Sequence, residues 1–404
     1  MARMLSHDRS SGPLRLLWLI DSLTLGGAER LTAEFARAVD PSRVRLTVCA
    51  LKRIGQNPFE RAVGDTGIPA VQLESRGLRD IGAFRKLRAL AVAERFDLVH
   101  AHLTDASIWG ALLGRLTGTP VVATLHVAPN RAPAWSRWGV RERLMCAVLR
   151  RWSATVLAVS AAQRDMWLRA GRFAPEHLTV VYNGIDVAEY EPRGNAAAER
   201  AEVRRALGVA EGAPVAMTIA ALRGSDKGID VLLTTARDVL GAVPGARIVI
   251  VGGGPLESLF REAARDAGID DGVIFTGMRR DTSRLLHAAD LFVLPSRLDA
   301  FPTVLLEAMA AGLPVVASAV GGVSEIVDDA STGRLVASGD PAALAQAMVA
   351  LRSDRETAMA LGRAGRARVR THFSISPWLG RLQRVYEGAL DRPPGVLVPA
   401  VEAS

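Results

Sequence analysis

The strongest constraint on this chain is a rhythm. Short β-branched or leucine-rich runs alternate with amphipathic helical stretches, and the alternation starts a second time after residue 190. The first series of runs is Leu14–Ile20, Val44–Leu51, Asp97–Ala101 and Val121–His126, with a helical pattern over Glu29–Val39 between the first two. The second series is Val215–Ala220, Arg247–Val251, Gly272–Thr276, Leu291–Leu294 and Pro314–Ser318. Strands that alternate with helices form parallel sheets, because a parallel pair needs a long crossover and a helix supplies it. The 404 residues suffice for two domains at about 100–200 residues each. The expected fold is α/β, with two doubly wound, Rossmann-like parallel-sheet domains over residues 1–190 and 191–375, the second opening on a polar Ala/Glu/Arg-rich stretch at 191–206. A helix over 376–390 is expected to cross back to the first domain. The first dozen residues and 391–404 read as loose tails.

Composition and charge narrow the class. No apolar run approaches the roughly 20 residues of a spanning helix, and the polar residues before Leu14 lack the apolar stretch of a signal peptide. Two cysteines, Cys49 and Cys146, make neither a disulfide framework nor a metal-ligand spacing, which fits a reducing, cytoplasmic compartment. Residues 1–186 hold 26 Lys+Arg against 16 Asp+Glu, whereas 187–404 hold 24 against 26, so the basicity belongs to the first half. Such an imbalance suits nucleic acid, an anionic membrane or an anionic substrate. Aromatic residues at 5% and the lack of an RNA-binding or zinc-finger signature speak against nucleic acid.

Doubly wound sheets bind ligands outside the carboxyl ends of their strands, and two such domains facing each other leave a cleft. Function is therefore expected on post-strand loops. Gly26-Gly27 precede a helix start, where unpaired N–H groups and the positive dipole end hold an anion as readily as they make an ordinary turn. Gly252-Gly253-Gly254-Pro255 open a helix over Leu256–Ala267, but the sixth position is Glu257 rather than a small residue, so a tight turn is expected and not a dinucleotide fingerprint. Only three of the fifty basic residues are lysine, Lys52, Lys86 and Lys227, which sets Lys227 apart from a generic positive charge. From the loop after a strand, Arg223 and Lys227 can converge on a diphosphate by charge-assisted hydrogen bonds, or can sit solvated. In Pro295–Ala317, Pro302 suits the first turn of a helix that stops at Gly312. Asp299 lies just before that helix and Glu307 on its second turn, flanked by Leu305, Leu306, Ala308 and Met309, which suggests burial. A carboxylate there accepts hydrogen bonds from vicinal hydroxyls such as a ribose, and the helix start near Thr303 offers amides to phosphate.

In this order the segments resemble retaining GT-B glycosyltransferases of family 4. The resemblance rests on Pro295 to Val327, with Asp299 and Glu307 at E-x7-E spacing and Gly321-Gly322-Val-Ser-Glu325 beyond. It rests also on Gly26-Gly27-Ala28-Glu29-Arg30, Thr124-Leu125-His126, Ala158-Val-Ser160, Val181-Tyr-Asn183-Gly-Ile-Asp186, Lys227-Gly228, Gly252–Pro255 and Phe275-Thr-Gly277, and so covers nearly the whole chain. It implies the GT-B architecture, with an acceptor-binding first domain and a donor-binding second domain facing an interdomain cleft. It also implies an activity: transfer of a sugar from a nucleoside-diphosphate donor, a UDP-sugar ahead of a GDP-sugar, to a hydroxyl of a glycan or lipid-linked acceptor. The transfer retains anomeric configuration and serves glycan, exopolysaccharide or glycolipid biosynthesis. Carried onto this chain, Arg223 and Lys227 bind the donor diphosphate, Glu307 the ribose and Asp299 hydroxyls of the transferred sugar. His126 orients or polarises the reacting region, and Gly26 with Gly27 lets the backbone approach the diphosphate. Gly277 borders the base, and Phe301, Thr303 and Val304 complete the donor-binding set.

Three positions depart from the family pattern. Asp299 is one methylene shorter than the family's glutamate, Pro302 replaces a common glycine whose N–H can contact the sugar, and Arg223 lies four residues before Lys227 instead of five. No Asp-x-Asp occurs, so no metal site is expected; Arg223, Lys227 and the helix start near Thr303 would meet the charge growing on the leaving phosphate. No enzymic nucleophile is evident, which favours same-face attack by the acceptor hydroxyl. Residues 131–152 hold six Arg and one Glu with Trp135, Trp138 and Trp152. That pattern reads as a helix lying on an anionic membrane, or as a core helix with a solvated arginine face. The membrane reading makes the protein cytoplasmic and peripheral on the inner face of the plasma membrane. Two other classes compete: a GT-B-fold nucleotide-sugar epimerase, which turns over donor alone, and a non-catalytic sugar-nucleotide binder, favoured only if the Asp299 and Pro302 departures abolish transfer and opposed by the intact Lys227 and Glu307.

Overall fold

A computed structural model describes residues 12–24, 26–53, 58–129, 135–191 and 194–391. The expected tails lie outside the described residues except for Gly12 and Asp391, as do Leu25 of the glycine motif and 131–134 of the Arg/Trp stretch. The chain divides into two compact units, one of Met1–Val159, Arg164–Val181 and Leu379–Ser404, the other of Ser160–Gln163 and Tyr182–Trp378.

The first unit is built on seven strands: β1 Leu14–Ile20, β2 Val44–Ala50, β3 Ala70–Gln72, β4 Leu98–His102, β5 Val121–Leu125, β6 Thr155–Ala158 and β7 Leu178–Val180. Their order is β3-β2-β1-β4-β5-β6-β7 and every pairing is parallel. The registers Leu14↔Val44 and Leu16↔Leu98 set β1 between β2 and β4. Because helices cover both faces, Leu16 to Ile20 are wholly buried, which is why the central strands read as unbroken apolar runs. Strand order reverses between β1 and β4, and that reversal opens a crevice at the strands' carboxyl ends.

The second unit repeats the plan with β8 Val215–Ile219, β9 Arg247–Val251, β10 Val273–Phe275, β11 Leu291–Leu294, β12 Val315–Ser318 and β13 Arg334–Val336. The order is β10-β9-β8-β11-β12-β13, again all parallel, with the reversal between β8 and β11. The two-domain α/β fold expected from the rhythm is the one observed.

The boundary differs from the expected residue 190, since Tyr182 to Tyr190 already belong to the second unit. Tyr190 is fully buried and its carbonyl lies 2.8 Å from His287 Nε2, while Ile185 bridges to Ser374. The polar stretch that marked the expected join is mostly the helix Ala196–Ala206, whose Arg204 reaches the carbonyl of Ala288 and the carboxylate of Asp290. The C-terminal helix spans Ile375–Leu390. In the first unit Tyr386 Oη lies 2.7 Å from His100 Nδ1, and His100 Nε2 lies 2.7 Å from Thr124 Oγ1, so this buried imidazole is satisfied at both nitrogens. Cys49 and Cys146 are free and buried, and burial pushes both thiols up to about 12. Among the described residues no helix is long and apolar enough to cross a membrane.

Candidate functional site

In the second unit the crevice between β8 and β11 is formed by two loops that touch. Arg297 and Leu298 donate their backbone N–H groups to the Asp226 carbonyl at 2.7 and 3.2 Å, and Arg297 closes a bidentate pair on Asp230 at 2.5 and 2.7 Å. At Gly228 the backbone is left-handed (φ 64°), and a Cβ there would meet the Pro295 carbonyl oxygen at 1.9 Å, so only glycine lets the loops close. The closure brings Lys227 and Asp299 together: Nζ donates to Oδ2 at 2.7 Å, and Ser296 Oγ donates to the same oxygen at 3.3 Å. The Asp299 side chain is only 10% exposed, so its charge has Lys227 as its cationic partner and little water.

Around this pair the other candidates take distinct places. Arg223 is exposed on the β8 loop with no ion pair among the described residues. That loop is braced from below: Gly252 (φ 131°) and Gly254 would drive a Cβ to 1.9 Å from the Ala220 carbonyl and 2.3 Å from the Leu222 carbonyl. The Gly252–Pro255 segment is thus a tight structural turn, as its spacing predicted. Gly277, left-handed at φ 67°, accepts from Gly252 N–H at 2.9 Å and leaves open space where a side chain would stand. The helix after β11 spans Thr303–Ala310, and Pro302 is its N-cap, one position before the first turn predicted for it; no side chain caps the start. Its first amides are thereby left to a ligand or water. Thr303 is buried, Val304 half-buried and Glu307 1% exposed on the second turn. The Phe301 ring packs against Tyr182 and Phe373, each 5.6 Å away, so its side chain belongs to the core and only its backbone is left for a ligand.

The first unit contributes separate groups. Gly26 N-caps the helix Gly27–Ala38, and a Cβ on it would stand 2.3 Å from Glu29 Oε2. The glycine pair therefore starts a helix that already holds its own carboxylate at the third position, where a phosphate would compete with it. His126 follows β5, and its Nε2 lies 2.9 Å from Nδ1 of His102, the last residue of β4. Burial lowers His126 to about 4 and carries His100 and His102 well below the usual imidazole range, aided in His100 by repulsion from His126 and in His102 by repulsion from His100 and His126. All three are neutral at neutral pH.

Residues 25–189 match Glycosyltransferase Family 4 and residues 199–368 match the glycosyl transferases group 1. A GDP-mannose-dependent alpha-(1-6)-phosphatidylinositol monomannoside mannosyltransferase of Mycobacterium tuberculosis is 31% identical over 84% of this chain and 89% of its own. The chain belongs to the group 1 glycosyltransferases. A D-inositol 3-phosphate glycosyltransferase of Corynebacterium kroppenstedtii is 32% identical over 74% of this glycosyltransferase and 69% of its own length. Anabaena HepE, crystallised with UDP and glucose, superposes at a TM-score of 0.81 with 24% identity, covering 93% of this chain and 99% of its own, and shares the GT-B fold.

Residues that the sequence reading quoted without a role hold this glycosyltransferase's Asp299 loop in place. Gly321 (φ 50°) and Gly322 would drive a Cβ to 1.8 and 2.3 Å from the carbonyls of Asp299 and Ala300, and Ser160 Oγ donates to the Ala300 carbonyl at 2.7 Å. Glu325 accepts from the N–H groups of Ala161 and Ala162 at 2.8 Å each. The signal was the Gly-Gly-x-x-Glu spacing, which names a close backbone approach but not its partner.

The Arg/Trp stretch forms the enzyme's helix Arg137–Trp152, capped by Ser136. Its surface differs from the expected one in three residues. Trp152 packs against the core of the first unit, Arg141 is tied to buried Asp105, and Arg150 donates to the Arg172 carbonyl. What faces solvent without such a tie among the described residues is Trp135 (84% exposed), Trp138 (66%), Val140 and Leu144, with Arg137, Arg143 and Arg151.

Proposed function

We propose that this glycosyltransferase moves a sugar from a nucleoside-diphosphate donor, a UDP-sugar ahead of a GDP-sugar, to a hydroxyl of a glycan or lipid-linked acceptor with retention of configuration. The donor belongs to the second unit. The observation that carries this is the Lys227–Asp299 pair, 2.7 Å apart at the β8/β11 reversal beside an uncapped helix start. Breaking an anomeric C–O bond builds positive charge on the sugar and negative charge on the diphosphate. Lys227, Arg223 and the amides at Thr303 supply positive charge for the leaving group without a metal ion, while Asp299 is placed for sugar hydroxyls and Glu307 for the ribose. His126 acts in the reacting region and Gly277 borders the base, with Gly26, Gly27 and Val304 as further donor contacts. The Anabaena relative was crystallised with UDP and glucose and the mycobacterial one is named for GDP-mannose, which supports both donor bases.

Retention is tested by NMR of the first-formed glycoside from an α-configured donor in the presence of EDTA. An α-linked product is expected. A β-linked product contradicts the retaining mechanism, and turnover that needs added divalent metal contradicts the metal-free one. Donor consumed without an acceptor, with solvent hydrogen entering the sugar, identifies an epimerase instead.

The first unit is the acceptor domain in this reading, and its helix Arg137–Trp152, together with Trp135 just before the cap, lays Trp135, Trp138 and Leu144 on an anionic membrane from the cytoplasmic side. Exposed tryptophans beside arginines are the composition of an interfacial helix. Each basic residue near such a surface contributes about 1 kcal/mol. Reversing Arg137, Arg143 and Arg151 to Glu is therefore expected to lower partitioning onto phosphatidylglycerol vesicles by at least about 100-fold at an unchanged melting temperature. Undiminished co-sedimentation contradicts the membrane contact.

A further inference from the structure

His102 is 2% exposed at the end of β4, its ring stacked on Trp18 at 4.0 Å and 4.1 Å from His100, so it has no room to turn. One of its nitrogens, Nδ1, lies 2.9 Å from His126 Nε2. The other, Nε2, is buried and has no hydrogen-bond partner among the described residues. This asymmetry fixes where the ring protons sit. A neutral imidazole carries one N–H, and a buried N–H without an acceptor is rarer than an under-used acceptor. The His102 proton therefore belongs on Nδ1, where it is donated to His126 Nε2. His126 Nε2 must then offer its lone pair, which places the single proton of His126 on Nδ1. That nitrogen has no partner among the described residues.

We infer that His102 is a positioning residue that locks His126 in the Nδ1–H tautomer, so that His126 presents a hydrogen-bond donor to a substrate oxygen and does not act as a general base. The tautomer of a histidine is set by the hydrogen bond that its other nitrogen makes. Burial reinforces the lock by keeping both rings uncharged at neutral pH. The functional half of this inference rests on the proposed role of His126 in the reacting region; the tautomer half stands on the hydrogen-bond geometry and on the burial that keeps the rings neutral.

Two-bond 1H–15N correlation spectra of the full-length 15N-labelled protein read the tautomers directly, with His126→Gln supplying the assignment. Wild type is expected to show protonated Nδ1 and bare Nε2 for both His102 and His126. His102→Leu removes the donor and is expected to let His126 populate both tautomers and to lower kcat by at least about 10-fold, with the KM for the donor nearly unchanged. His102→Asn keeps an N–H near the Nδ1 position and is expected to restore most of kcat. A bare Nδ1 on His126 in wild type overturns the proposal whatever the variants do. So does full kcat in folded His102→Leu when His126→Ala is impaired. Full kcat in His126→Ala, with the Nδ1–H pattern intact in the wild type, instead overturns the role given to His126 in transfer and leaves the tautomer lock standing.

Discussion

Replacing Lys227 by alanine is expected to lower kcat/KM by about 100-fold or more, a larger loss than one hydrogen bond to a diphosphate explains. The excess comes from Asp299. In the wild type the Lys227 ammonium lies 2.7 Å from Asp299 Oδ2, and the Asp299 side chain is 10% exposed. Without the lysine, a nearly buried carboxylate is left uncompensated beside the place proposed for a dianionic leaving group, so a repulsion is added to a lost attraction. Two consequences separate this from simple loss of a contact. Asp299→Asn alone should tighten UDP binding while slowing transfer, since it removes negative charge from the diphosphate's surroundings and a hydroxyl acceptor from the sugar's. In the Lys227→Ala background the same substitution should recover part of the lost UDP affinity, a coupling that a double-mutant cycle reads directly. Additive effects would show that the two residues act separately. Glu307→Gln should weaken donor binding by about 10-fold through a lost ribose contact, with kcat less affected.

Acid should destabilise the first unit steeply from about pH 6.5 downward. His100, His102 and His126 all have folded-state values below the unfolded 6.5, His126 at about 4, with burial the main cause. Above 6.5 neither state binds these protons. As pH falls below it the unfolded chain takes up protons that the folded one refuses, and stability is lost down to the folded values. Asp21 opposes the trend: burial first, and the neighbouring Asp105 second, raise it to about 6, so between about 6 and 3.8 the folded state holds a proton that the unfolded one lacks. Three histidines against one aspartate leave about two protons of difference, so stability falls by roughly 3 kcal/mol per pH unit between pH 6 and 5. Melting curves of the intact protein from pH 7.5 to 5 test this; an unchanged midpoint across that range contradicts the neutral histidine cluster.

The chain's alphabet exposed the fold where burial was complete. β1, β9 and β11 were legible to the residue because, beyond Arg15 and Arg247, strands covered on both faces carry unbroken apolar runs. Of the unread strands, β3, β7 and β13 lie at sheet edges and are only partly buried, so they carry no full apolar run, while β6 is buried but opens on Thr155 and leaves only three apolar residues. In the site, Glu307 was legible because its flanking residues forecast its burial. The ion pair of Lys227 with Asp299 was not, since it depends on Gly228 allowing two loops 72 residues apart to touch. Phe301 and Trp152 were read by type, whereas their places in the packing depend on which face of the local structure meets the core. His102 carried a signal that went unread: β4 and β5 pair in parallel with His102 opposite Thr124, so a residue two positions past Thr124 lies within reach of it.

Calorimetric titration of UDP and GDP, in EDTA, into the wild type and into Lys227→Ala tests the donor site most directly. UDP is expected to bind the wild type in the absence of metal and more tightly than GDP, with affinity lowered at least about 10-fold in Lys227→Ala. Folded protein that binds neither nucleotide, or that binds UDP equally well without Lys227, would contradict a donor site at the β8/β11 reversal.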